Sequence, residues 1–169
     1  MQTIKAMNEE KVTLSIYPNA FGLAYVISES PKEIIDYGMK QIKKKDVPHF
    51  LKMFDKILEY FQPHVVILRD YNNPNSHLSE KYKQIWNAIE KRVLEKGLKL
   101  FQYSREQIKS VFVEFNAETK HQISEIIVKW YPQLKSRSPR KRKPWLNEDN
   151  QMGIFDAFSL TLTHAYFEE

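Results

Sequence analysis

The stretch DVPHFLKMFDKILEYFQPHVVILRDY, residues 46–71, decides the fold. Its first part sets Phe50, Met53, Phe54, Ile57, Leu58 and Phe61 at steps of three and four. That spacing gathers the apolar side chains on one stripe of a helix, with Asp46 as the N-cap and Pro48 in the first turn. Pro63 ends the helix. The run HVVIL (64–68) is apolar throughout, as a strand covered on both faces must be. A helix that delivers the chain into such a strand is a crossover, and crossovers build parallel pairs.

Upstream, VTLSIY (12–17), FGLAYVIS (21–28) and EIIDYGMKQ (33–41) read as strands joined by short turns, an antiparallel meander. Downstream, Ser79 caps a helix that Gly97 stops, and LKLFQY (98–103) is a fifth strand. Ser104-Arg105-Glu106-Gln107 has the form of a capping box opening a short helix. Further helices are expected over Glu118–Tyr131 and Met152–Phe167. The expectation is an α/β protein of RNase H-like fold. A three-strand antiparallel meander and two parallel strands would form one mixed sheet with helices on both faces, in a single domain over residues 1–169.

Composition narrows the function. The 169 residues are 42% hydrophobic, which argues against disorder. The absence of cysteine excludes disulfides, thiolate metal sites and a cysteine nucleophile, and it suits a reducing cytoplasm. Neither a signal core nor an apolar run long enough for a membrane span is present, so no membrane partner is expected. The net charge of +5 comes from 26 basic and 21 acidic residues. Six of the basic ones, Lys135, Arg137, Arg140, Lys141, Arg142 and Lys143, lie together with no acid among them, and without them the chain would carry −1. Pro139, Pro144 and two serines make residues 135–145 read as an extended basic loop. Such a loop attracts polyanions, nucleic acid before acidic protein. The histidines (His49, His64, His77, His121, His164) have no metal-ligand spacing, and no P-loop is present.

Several stretches in order resemble the RuvC family of Holliday-junction resolvases, within the RNase H-like superfamily. LSIYPNAFGLAYVI (14–27) is similar to the family's opening strand, and QPHVVILRDY (62–71) to its fourth. LKLFQYSREQIKSVF (98–112) with ETKHQISEIIVKWYPQL (118–134) is similar to the fifth strand and following helices. KPWLNEDNQMGIFDAFSLTLTHAYF (143–167) is similar to the last helix, with its acidic residue before alanine. The resemblance implies a dimer that binds branched DNA. It also implies four carboxylates holding two divalent ions, Mg or Mn, about 4 Å apart beside the scissile phosphate.

The carboxylate set departs from that pattern. The opening aspartate is replaced by Tyr17, a phenol that does not bridge cations at neutral pH. The fourth-strand glutamate falls at Arg69, or at Leu68 if the alignment slips by one. Asp70 would reach the same place only if the strand bulges or ends there. Asp156 matches the retained acid of the D-A pair, while Gly153 stands where many resolvases carry another. Glu148 and Asp149 precede the helix. If it began at Asp149, Asp149 and Asp156 would stand about 10 Å apart along it. Asp156 and Asp70, with Glu148 or Asp149, are thus the candidate metal ligands and catalytic residues.

Plainer readings stand beside these. Tyr17 is a strand aromatic at the sheet surface. Arg69 either binds a phosphate or pairs with Asp156. Glu148 and Asp149 complement a helix dipole. The stripe Phe155, Phe158, Leu162, Ala165 is core. Three functions follow. The first is a nucleic-acid-binding, DNA-directed RuvC-like protein with impaired nuclease activity. The second is an active Mg- or Mn-dependent junction endonuclease with a rearranged site. The third is a scaffold that binds an acidic protein through Lys135–Lys143.

Overall fold

The computed structural model describes residues 12–72, 78–141 and 149–168. Strands β1 (Thr13–Asn19), β2 (Gly22–Ser30) and β3 (Glu33–Gln41) come first. Helix α1 (Val47–Phe61), β4 (Val65–Arg69), α2 (Glu80–Glu95) and β5 (Lys99–Tyr103) follow. Then come α3 (Arg105–Phe112), a short 3-10 turn, α4 (Lys120–Trp130), a second 3-10 turn (Pro132–Arg137) and α5 (Met152–Glu168). The order across the single five-stranded sheet is β3-β2-β1-β4-β5. The meander is antiparallel, and β1–β4 and β4–β5 are parallel. Helices α1 and α2 pack together on one face, while α5, backed by α3 and α4, crosses the other.

Local chemistry explains the element ends. The Asp46 carboxylate accepts from the His49 N–H and opens α1 around Pro48. Ser79 does the same for α2 through the Tyr82 N–H. The capping box at Ser104 and Gln107 is complete in both directions, and Thr119 with Gln122 repeats it at α4. Ser104→Ala should therefore cost about 1 kcal/mol, visible as a melting temperature lowered by roughly 2–4 °C.

The core is built from Phe50 and Phe54 of α1, Phe112 of α3, and Phe155 and Phe158 of α5, closed over Leu14, Ile16, Ile67 and Leu68 of the central strands. Helix α5 is buried at every residue from Met152 to Thr161, and Asp156, Ser159, Thr161 and Thr163 are its buried polar members. A helix buried on all sides is the central helix of its layer. Among the described residues two side-chain hydrogen bonds tie it to the sheet, Ser15 Oγ to Thr161 Oγ1 at 2.7 Å on the central strand and Tyr103 Oη to His164 Nδ1 at 2.8 Å on β5.

Three expectations need correction. Strand β1 runs on through Pro18 to Asn19, because its parallel ladder with β4 covers only Thr13–Ser15, so Pro18 lies beyond the bonds its missing N–H would break. The basic segment is not extended throughout. Pro132 starts a 3-10 turn and fully buried Leu134 anchors it, so Lys135 and Arg137 sit on a turn rather than in an open loop. Tyr17 is not at the sheet surface but 6% exposed.

Candidate functional site

Parallel pairing brings the carboxyl ends of β1, β4 and β5 to one edge of the sheet. Successive strand residues alternate between faces, and Ser15 faces α5 through Thr161, so Tyr17 two residues on faces the same way. Arg69, the last residue of β4, comes beside it: Arg69 Nη1 donates to Tyr17 Oη at 3.4 Å and to Tyr71 Oη at 3.2 Å. The two phenols are 3.0 Å apart. The Arg69 guanidinium also lies over the Tyr71 ring, 4.3 Å from its centre, and both tyrosine rings meet Trp86 of α2 edge-on.

Asp156 approaches from the first turns of α5. Its carboxylate is 3.3 Å from the Lys120 ammonium, which also donates to Tyr17 Oη at 3.5 Å. The result is a mixed cluster of phenol, guanidinium, ammonium and one carboxylate. Together with Arg105, Ile108, Ile123, Met152, Phe155 and Ser159, these groups line a cavity of about 20 Å³.

The electrostatics follow from burial. Desolvation and the Asp156 charge push the Tyr17 phenol well above its ordinary pKa, against the pull of Arg69, so it stays a neutral hydroxyl. Burial does the same to Tyr71. Burial works against the Arg69 cation, but Tyr17, Tyr71 and Asp156 outweigh it and hold the guanidinium charged. The Arg69 Nε–H is buried with no hydrogen-bond partner among the described residues. An orphaned buried donor costs ~1–3 kcal/mol.

The predicted acids do not meet at this cavity. Asp156 lines it. Asp70 accepts from the Asn72 N–H at 2.9 Å, while its own N–H extends the ladder to the Tyr103 carbonyl. Asp149 stands ahead of α5, which begins at Met152 rather than at Asp149. It accepts from the Gln151 N–H and from both the N–H and Nε of Arg140. Burial alone would raise its pKa, but those hydrogen bonds prevail and hold it low. Glu148 lies outside the described residues, as do Arg142, Lys143 and His77. Gly153 leaves no room for an acid: a Cβ there would lie 2.5 Å from Asn19 Nδ2 and 2.6 Å from Met39 Cε.

Mg or Mn needs several anionic oxygens. Among the described residues no group of three or more histidines, cysteines or carboxylates could hold a metal ion. The cavity instead presents Arg69, Lys120 and Arg105, so the described residues do not fit a two-metal centre. Of the two roles expected of Arg69, the pairing with Asp156 is not what the structure has, since its hydrogen bonds go to phenols and Asp156 pairs with Lys120. Of the basic segment, Lys135, Arg140 and Lys141 are exposed, and Arg137 is half-buried with its guanidinium over the Tyr37 ring.

Sequence reasoning missed Lys120, Tyr71, Trp86 and Arg105. The Thr119–Gln122 capping box marks Lys120 as the first residue of a helix, but nothing local says what that helix end faces. His164 proves structural: its Nδ1 is 2.8 Å from Tyr103 Oη, and burial lowers its pKa while pushing the phenol up to about 12.

No protein-family model matches the sequence, and no curated protein matches it. Solved structures do. Thermus thermophilus RuvC in complex with a Holliday junction substrate superposes with a TM-score of 0.64 at 16% identity, over 93% of this chain and 94% of that one. A second structure of Thermus thermophilus RuvC gives 0.61 at 17% identity, over 93% and 95%. The yeast mitochondrial Holliday junction resolvase gives 0.59 at 12% identity, over 94% and 81%. The chain has a RuvC-like fold across nearly its whole length. No helix among the described residues is long and apolar enough to cross a membrane.

Proposed function

We propose that this is a DNA-binding protein on a RuvC-like frame, acting on junction or duplex DNA as a homodimer, in which metal-dependent nuclease chemistry has been lost. The observation that carries the reading is the company of Asp156. Lys120 is at 3.3 Å, and Tyr17 and Arg69 stand at the strand positions where the resemblance calls for acids. Like-charged neighbours repel a divalent ion where carboxylates would attract it. The basic segment supplies the attraction for DNA, and the solved complex of the Thermus protein with its junction supports nucleic acid as the partner class.

The test is incubation of a four-way DNA junction with high enzyme and either Mg²⁺ or Mn²⁺. The expected result is binding without nicked product. Metal-dependent nicks that Asp156→Ala removes would replace this reading with an active endonuclease drawing on Asp156, Asp70 and Glu148 or Asp149. Failure to bind DNA at low salt, with an acidic protein recovered instead, would favour the scaffold.

Asp156→Asn separates the readings further. Removing the one carboxylate among three cations should lower stability by about 1–2 kcal/mol, less than for a fully buried pair because Lys120 is 27% exposed. The same change should tighten DNA binding, because the cavity gains net positive charge. A nuclease would lose its function instead.

A further inference from the structure

We propose that the cavity at the carboxyl ends of β1 and β4 is a metal-independent seat for one oxygen of a DNA phosphodiester, held by Arg69, Lys120 and Arg105. The inference rests on the DNA-binding reading and adds to it a place where the backbone is gripped.

Three observations converge on it. Among the described residues the cavity is lined by three cations and one carboxylate, so their field favours an anion. Its volume of about 20 Å³ is that of roughly one water-sized group. That admits a single anionic oxygen with the phosphorus outside, and not two ions about 4 Å apart with their ligands. Finally, Arg69 is positioned rather than mobile. Nη1 is tied to the hydroxyls of Tyr17 and Tyr71, the ring of Tyr71 lies beneath the guanidinium, and the buried Nε–H remains without a partner among the described residues. A guanidinium held in place by two phenols keeps its charge at the cavity wall, and charge-assisted bonds to phosphate are the strongest it can make.

The chain also leads a polyanion to this place. Arg140 of the basic segment is bound to Asp149, just ahead of the helix whose Met152, Phe155 and Asp156 line the cavity. A strand of DNA drawn to the basic segment is thereby brought to the mouth of the seat.

The experiment measures affinity for an immobile four-way DNA junction by fluorescence anisotropy, in EDTA and in Mg²⁺ at matched ionic strength, for the full chain. The wild-type affinity should agree within about twofold between the two conditions. Arg69→Gln and Arg105→Gln should each weaken binding about tenfold, and the two together should flatten the log–log salt dependence by no more than about 0.9, the share of one phosphate. Arg105 is half-exposed at the first turn of α3, so its variant serves if Arg69→Gln folds poorly in a melting control. Binding that requires Mg²⁺, or folded variants that bind like wild type, would overturn the seat and leave DNA binding standing. A wild-type protein that binds no DNA at low salt in either condition would overturn the reading beneath it as well.

Discussion

Gly153→Asp should destabilise the protein by about 4 kcal/mol, a fall in melting temperature of roughly 8–16 °C. The position is one where many resolvases carry an acid, so this substitution is the natural first step toward restoring a metal site. The structure opposes it on two counts. A Cβ at 153 would sit 2.5 Å from Asn19 Nδ2, 2.6 Å from Met39 Cε and 3.2 Å from Ala24 Cβ. Met39 ends in a flexible methyl and can shift. Asn19 is less free, because its Oδ1 accepts from the N–H groups of Phe21 and Gly22 and so holds the β1–β2 turn. The second cost is electrostatic, since Gly153 is buried and a carboxylate there would leave water with no partner built for it. Gly153→Ala, which adds volume without charge, should cost about 1–3 kcal/mol. An aspartate variant that melts with the wild type would mean that this space is open.

The second large effect concerns binding. Replacing Arg140, Lys141, Arg142 and Lys143 together by glutamine should weaken DNA binding by roughly a hundredfold or more at moderate salt. The slope of log affinity against log salt should become shallower by about 3. A full contribution from four phosphate contacts would be about 3.6, but Arg140 is partly spent on Asp149, 3.4 Å from its Nε. The effect should grow as salt is lowered, and melting should barely change, because Arg140 and Lys141 are exposed. An unaltered slope would remove this segment from the interface.

The frame was legible because each of its decisions is local. The steps from Phe50 to Phe61 gave α1, the apolar run before Arg69 gave β4, and the spacing of Ser104 and Gln107 gave the start of α3, all as the structure has them. The site was legible only as departures from the resolvase pattern. That Tyr17 and Arg69 stand where acids are expected can be read from order along the chain. That they hydrogen-bond each other, share Tyr71 and close over Trp86 cannot, because those contacts join residues far apart in sequence. Lys120 is the clearest case. It lies 103 residues from Tyr17 and 36 from Asp156, and only the packing of α4 against α5 brings it to both. Tyr17 was misjudged for a related reason: strand propensity makes no distinction between an open sheet face and one covered by a helix.

The hydroxyl contact between Ser15 and Thr161 bears on all of this. A helix buried on all sides carries little in its apolar residues to fix how far it is turned about its own axis. The Thr161 hydroxyl bonded to the central strand, with His164 bonded to Tyr103 one turn on, sets that angle. A slip of one residue would swing every side chain through roughly 100° and carry Asp156 out of reach of Lys120. The way Asp156 is presented to Lys120 thus depends in part on polar groups packed between helix and sheet.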